Sequence, residues 1–485
     1  MIASSLLVVL PGLIAAPILA ALPGWRAAAT ANIGVCAIIL LAAIRLAIAP
    51  GPIDDDAWLR PDALGIVLVL LTSFTGLTTA WFSRFYIRHE AEAERLGPRA
   101  IRLYHGAFPA LLGFLLTALL SDNIGLTWVC LEAATIIGVL VVVLPGTEDA
   151  IEASWKFFIL CGVAVALALF GTIMLYLAAS PILGPGWPAM SWRGLAAAAP
   201  ACNGGLLNLA FVFLLIGYGT KAGLVPLHGW MPDAHAEGPT PVSAILSGSV
   251  LNVALVVLLR LRGVIGANAA AGGAAIAPGP AMIILGLASV LVSAFCLWPR
   301  RDVKRWFAFS TIEQNGLVAL AFGLGGPAAN FAGLLHMIAH TLTKASIFQC
   351  VGRAAQLRGG QDFPHLSGLL RDQRLLAFTL AAGTIAVAGL PPFAMFSSEF
   401  LIASELARRM VWLSPLLGLG LIVGTWALLA RLLDLCVGLP KGTGKSPSVG
   451  GAALASAWLN LAIVVGLGLA MPPALVNLLQ QAAGP

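Results

Sequence analysis

Lysine, glutamate and histidine occur where this 485-residue chain is otherwise apolar. Glu132 lies within TWVCLEAATIIGVLVVV, Lys156 near the start of another apolar run in EASWKFFIL, and Lys221 directly after FVFLLIGYGT. His336, His340 and Lys344 follow at four-residue intervals in HMIAHTLTK, which places them on one face of a helix. Glu399 lies beyond Pro391 and Pro392, and Glu313, in STIEQNG, sits nearer the end of its run. A charged side chain at mid-bilayer costs roughly 2.5–3.5 kcal/mol on insertion scales, so each is a functional candidate by default. Carboxylates, amines and imidazoles are groups that take up and release protons. Two histidines at i, i+4 could also hold a metal, although no nearby cysteine or carboxylate completes such a site. Satisfied core histidines, structural ion pairs between the acids and lysines, and a Lys156 that snorkels to the aqueous boundary stay open.

The elements that must position these residues follow from composition. The chain is 59% hydrophobic and 10% charged, against roughly 25% charged in a soluble domain. A soluble multi-domain enzyme is excluded, and the fold class expected is all-α, a polytopic membrane protein. Stretches of about 20 apolar residues, each long enough to span roughly 30 Å of hydrocarbon, recur along the chain. They fall near 2–22, 28–50, 62–84, 104–121, 123–145, 153–180, 205–228, 240–260, 278–298, 304–325, 328–352, 375–403, 411–434 and 453–478. That predicts about fourteen transmembrane helices, the first a retained helix because it lacks a basic start. The seven cysteines are scattered with no CxxC pair, so neither an iron–sulfur cluster nor a zinc site is encoded.

Basic residues set orientation. Arg84, Arg88, Arg95, Arg99 and Arg102 follow span three; Arg300, Arg301, Lys304 and Arg305 follow span nine. Arg353, Arg358, Arg371 and Arg374 follow span eleven, and Lys441 and Lys445 follow span thirteen. The opposite side keeps few, such as Arg193, Arg408 and Arg409, beside the acidic run Asp54, Asp55 and Asp56. Odd-numbered spans are therefore predicted to end in the cytoplasm, with both termini outside. This bias accounts for the net charge of +6, and no soluble basic face suggests nucleic acid. The stretch KGTGKS ends like a P-loop, but Leu439 stands where its first glycine belongs and no strand precedes it.

Proline supplies an independent signal. Span seven runs into VPLHGWMPDAHAEGPTP, and span twelve contains GLPPF. Each proline removes a backbone donor and clashes with the preceding turn, so helices 7 and 12 are predicted to break. Broken backbone at membrane depth survives only where it is buried in protein or lines water. Two such breaks at corresponding places point to an inverted-repeat transporter, with Lys221 at one and Glu399 at the other.

At these residues the sequence resembles the antiporter-like membrane subunits of respiratory complex I, Mrp-type cation/proton antiporters and group 4 membrane-bound hydrogenases. The blocks KAGLVPLHGWMPDAHAEGPTPVSAILSG, DVKRWFAFSTIEQNG, HMIAHTLTKASIFQCVG and GLPPFAMFSSEFL carry the likeness from about residue 100 to 405. Pairing of LEAATIIGVL with HGWMPDAHAEGPTPVSAILSGSVLNVAL resembles component F of hydrogenase-4. The resemblance implies two inverted five-helix repeats: helices 1–3 over 1–103, a first repeat over 104–262, a second over 278–437, and a loop with helix 14 over 438–485. It also implies that Glu132 is a fifth-helix glutamate, Lys221 a seventh-helix lysine, His336, His340 and Lys344 an eleventh-helix polar column, and Glu399 a twelfth-helix acid. Where many members carry an eighth-helix lysine, this chain has Asn252. Asn252, Lys304 and Glu313 form a secondary polar set. The chain stops soon after span fourteen, an expectation against the subunit type that carries a long lateral helix.

The function expected is proton translocation in the inner membrane of a bacterium. It would run through Glu132, Lys156, Lys221, His228, His336, His340, Lys344 and Glu399, driven by a redox module in partner subunits. The chain should hold no cofactor and no metal, and whether it counts as an enzyme depends on that complex. Burial makes a lysine's proton easier to lose and a nearby carboxylate holds it, so Glu132 beside Lys221 would act as a switch. The proton would then pass through His228 and His340 toward Lys344, and Glu399 would exchange it with the other side. Alternatives are Na⁺ or K⁺ antiport, a passive membrane anchor for a soluble redox module, and a small-solute permease.

Overall fold

A computed structural model describes residues 4–49, 58–439 and 450–484. The acidic run at 54–56, Lys441, Lys445 and the KGTGKS stretch lie outside the described residues. Helices dominate, and the β features among the described residues are isolated bridges such as Asp302 to Asp362.

Three helices lead: α1 (Ser4–Ala21), α2 (Trp25–Ile48) and α3 (Ala63–Glu92). Then come α4 (Pro98–Leu120), α5 (Ile124–Val142), α6 (Glu148–Leu183), the short α7 (Trp192–Ala198), α8 (Gly204–Lys221) and α9 (Met231–Glu237). A helix α10 (Thr240–Ile245) continues through a π-helical turn, Leu246–Val250, into α11 (Leu251–Ala270). The second half holds α12 (Gly279–Leu297), α13 (Val303–Leu324), α14 (Gly326–Arg358), α15 (Phe363–Leu366), α16 (Arg374–Val387), α17 (Ala394–Arg409) and α18 (Ser414–Val437). The chain closes with α19 (Gly451–Leu469) and α20 (Pro473–Ala483).

Starts follow local chemistry. Asp62, Asn123, Thr147, Asn203 and Asp302 each accept a backbone N–H from the first turn of α3, α5, α6, α8 and α13. Pro239 and Pro241 stand at the start of α10, where a proline costs no intrahelical bond. Pro226 and the pair Pro391 and Pro392 lie in the gaps 222–230 and 388–393, so both predicted breaks are present. The π-helical turn had no signal in the hydrophobic pattern.

Eleven of the described helical segments are long and apolar enough to cross a membrane. The sequence predicted about fourteen spans. The other three, near 304–325, 328–352 and 375–403, coincide with α13, α14 and the interrupted pair α16 and α17. Those elements carry polar side chains or a break, and that lowers their hydropathy. Nearly every residue of α13 and the centre of α14 is buried.

The tightest packing brings α12 against α13. A Cβ placed on Gly286 would stand 2.6 Å from the Gly316 carbonyl oxygen, and one on Gly316 would stand 2.7 Å from that of Gly286. Small residues let the two backbones touch, as association within lipid demands. Gly286→Leu is therefore expected to wedge the pair apart and cost about 1–3 kcal/mol or more. Gly34→Leu on α2, which meets open space, should cost nothing. Melting of the purified protein in detergent checks this, and equal melting temperatures for the two variants would contradict it.

Candidate functional site

The first half-site joins α5, α6 and α8. Lys221 ends α8, wholly buried, with its amine donating to the Thr135 hydroxyl on α5 and lying 5.8 Å from the centre of the Phe157 ring. Glu132, one turn before Thr135, is within electrostatic reach of Lys221, while its Oε2 is buried without a hydrogen-bond partner among the described residues. The pair expected from sequence is thus brought together, with Thr135 rather than Glu132 accepting the amine hydrogen.

Beyond Lys221 the backbone breaks, and its polar groups find partners on other helices. Trp230 Nε1 donates to the Thr220 carbonyl at 2.8 Å, and Asn315 Nδ2 on α13 donates to the Ala222 carbonyl at 2.8 Å. The Val225 N–H donates to Ser289 Oγ on α12 at 2.9 Å. At the far end of α9, Lys304 Nζ donates to the carbonyls of Ala236, at 2.8 Å, and Gly238, at 3.2 Å. A cation on the last carbonyls of a helix offsets its dipole as well as closing its bonds. On the outer side of α9, Arg305 reaches Asp233 at 3.3 Å and Glu237 at 3.1 Å.

The second break is served by the same helix. Gln314, next to Asn315, donates to the Val387 carbonyl at 3.3 Å, and Thr425 of α18 donates to the Ala388 carbonyl at 3.1 Å. Gly389, at φ 68°, lies against the Glu399 carboxylate with no room for a Cβ. Glu399 is half-buried, its Oε1 without a hydrogen-bond partner among the described residues, and it lines a groove of about 440 Å³ with Phe396, Phe400 and Trp426.

Between the breaks runs the face of α14. His336, His340 and Lys344 are fully buried. His336 Nδ1 pairs with Ser398 Oγ on α17 at 2.9 Å, and its ring lies nearly parallel to that of His340, centroids 6.3 Å apart. Lys344 Nζ donates to the Phe307 carbonyl at 2.8 Å and Ser310 Oγ at 2.9 Å, both on α13. Glu313 on α13 is within electrostatic reach of Lys344, and Glu399 of Glu313. Glu313 and Lys304, secondary in the sequence, are therefore central. Among the described residues no three His, Cys, Asp or Glu side chains converge on a metal position.

Two expected positions differ. Lys156 does not join the buried set: its side chain is 46% exposed on the outer face of α6, paired with Glu152 at 2.6 Å and Asp233 at 3.0 Å. His228 is only partly buried, edge-on to Phe309 and near Arg300, away from the column. Its place is taken by His235 on α9, fully buried, stacked on Phe348 at 5.3 Å, within electrostatic reach of His340, Lys344 and Lys304. Both His235 ring nitrogens lack partners among the described residues. The sequence missed it because it stands in a proline-rich stretch with no apolar run to mark depth; its signal was a four-residue step from Met231 on a helix capped by Gly238. Asn252 is buried just past the π-helical turn and donates to Thr341 Oγ1 at 2.9 Å, so it ties α11 to α14 beside His340.

Two broken helices, each beside a charged residue, and a buried polar column on α14 define a class. The chain belongs to the NADH:quinone oxidoreductase/Mrp antiporter transmembrane family, which it matches over residues 121–425. A protein named hydrogenase-4 component F homolog, from Methylacidiphilum infernorum, is 46% identical to it over 424 residues, 87% of each chain. In shape it is similar to a chain of the membrane-bound sulfane sulfur reductase, an archaeal respiratory membrane complex. That match has a TM-score of 0.85 at 23% identity and covers 99% of this chain and 96% of the other. A chain of the Mrp complex from a Dietzia species gives 0.83 at 19% identity, covering 100% and 97%. The protein is a multi-pass, antiporter-like membrane subunit.

Lys304 closes α9, so Lys304→Met would strand two buried carbonyls at a cost of about 1–3 kcal/mol each. The amides of 231–238 are expected to exchange with deuterium about tenfold faster or more. Unchanged exchange there would mean that the clamp on α9 lies elsewhere.

Proposed function

We propose that this protein conducts protons across a bacterial inner membrane as one subunit of a larger complex. The observation that supports the reading is the succession of buried titratable side chains His235, His340, Lys344, Glu313 and Glu399, each within electrostatic reach of the next or of a shared neighbour. Water excluded from a bilayer interior leaves such groups as the available stepping points for a proton. Several of their polar atoms, on His235, His340, Glu313 and Glu399, have no hydrogen-bond partner among the described residues and are therefore able to bond water or a moving proton.

Lys221 and Glu132 form the switch at the entrance to this succession. With the Lys221 amine on Thr135, Glu132 keeps a free oxygen; when the amine moves to Glu132, the carboxylate holds its proton in place. Opening of that pair frees the proton to cross the region of Asn252 and Thr341, where hydroxyl and amide groups can order water. His235 and His340 then deliver it toward Lys344, and Glu313 and Glu399 exchange it with the opposite side.

The basic loops after α3, α12 and α14 support a cytoplasmic position for those ends and a periplasmic one for both termini. Similarity to the hydrogenase-4 component F homolog supports a place beside other membrane subunits in a hydrogenase-4 or formate hydrogenlyase-like complex. A soluble redox arm of that complex would provide the driving force.

Acidification of vesicles containing the purified parent complex, followed by a pH-sensitive dye, tests the reading. Lys221→Met, Glu132→Gln and Lys344→Met are expected to abolish transport, whereas Lys156→Met should keep more than about half, because exposed pairs contribute little. Transport intact in Lys221→Met or Glu132→Gln would contradict the switch. Transport that stops when Na⁺ is withheld would assign a metal cation as cargo instead.

A further inference from the structure

The row of α14 that begins with His336, His340 and Lys344 runs on at the same four-residue step through Phe348, Gly352 and Gln356, winding around the helix by about 40° per step. Phe348 stacks on His235, with ring planes 24° apart. Gly352 leaves the space that Thr240 fills, two residues past the Gly238 carbonyl held by Lys304; a Cβ there would stand 2.5 Å from the Thr240 methyl carbon. Gln356, buried, donates through Nε2 to the Tyr86 carbonyl at 3.1 Å and to Glu90 Oε1 at 2.6 Å.

Glu90 lies at the end of α3 and is 8% exposed. Its other neighbour is Arg95, 3.9 Å away, whose own side chain is 48% exposed, so the carboxylate stands at the boundary between solvent and the buried face. Among the described residues, Lys304, His89, Arg353 and the Tyr86 hydroxyl also lie within its electrostatic reach. A carboxylate serving only as an anchor for Arg95 would gain more from a short contact than from 3.9 Å. The short contact here goes instead to Gln356, in the last turn of α14.

We propose that Glu90 is the solvent-side terminus of the column: it takes a proton at the ends of α3 and α14 and passes it inward, past Lys304, to the His235 ring. In each turnover the carboxylate gains one proton from water and gives it up to an imidazole nitrogen by way of bound water, and no electron moves. The inference rests on the proton reading above, and it adds a donor residue on α3, a helix outside both repeats.

Glu90→Gln keeps the volume and the oxygen that Gln356 needs, and removes the exchangeable proton. In vesicles of the assembled parent complex, uptake from the Glu90 side is expected to slow about tenfold, with Glu90→Asp intermediate and complex assembly unchanged on a native gel. The pH profile separates relay from scaffold: without the carboxylate, protons come from bulk water, so the Glu90→Gln rate should fall more steeply than wild type as pH on that side rises. A wild-type rate and profile in Glu90→Gln overturns the relay and leaves the proton reading standing. If Glu90→Gln does not assemble, Glu90→Asn takes its place, and a wild-type rate and profile there overturns the relay equally. A wild-type complex that moves no protons removes the underlying reading and the relay together.

Discussion

Backbone carbonyls released by a broken helix inside a bilayer must find donors from the protein, because lipid offers none. Two breaks therefore impose one requirement on the rest of this fold, and α13 meets most of it. Asn315 reaches back to Ala222 at the first break, Gln314 reaches forward to Val387 at the second, and Lys304 closes α9. Adjacent residues on one helix thus serve opposite halves of the protein. The polarity of α13 answers to this duty, and it explains why the helix is buried almost everywhere along its length.

The same helix holds Lys344 on the Phe307 carbonyl and Ser310, and brings Glu313 alongside it. Structural donors and titratable groups share one surface between α13 and α14. Placing His235 on α9 extends that surface into the first half, since α9 is fixed by Lys304 beneath it and Arg305 outside it. The lysine that closes the helix and the histidine the helix carries are parts of one arrangement.

Depth was legible in the sequence where apolar runs surrounded a charge, as at Glu132, Lys221 and Lys344. The breaks were legible because proline acts through local backbone chemistry. Lys156 was not legible in the same way: it stands at the start of an apolar run, yet its direction depends on which face of α6 turns outward, and several exposed residues such as Trp155 and Phe158 flank it there. His228 and His235 differ by less than two helical turns in sequence, and only the path of the chain across the first break decides which one meets α14. The importance of Gln314 and Asn315 was hidden because their partners are backbone carbonyls, which leave no mark in side-chain pattern.

In the proposed function, the proton's route joins the two half-sites through the imidazole that α9 carries against α14. His235→Phe tests it most directly, because a phenyl ring preserves the volume and the stack on Phe348 while removing both ring nitrogens. Measured in vesicles of the assembled complex at wild-type protein levels and melting temperature, transport is expected to fall to background. Proton transport at the wild-type rate in that variant would contradict the account.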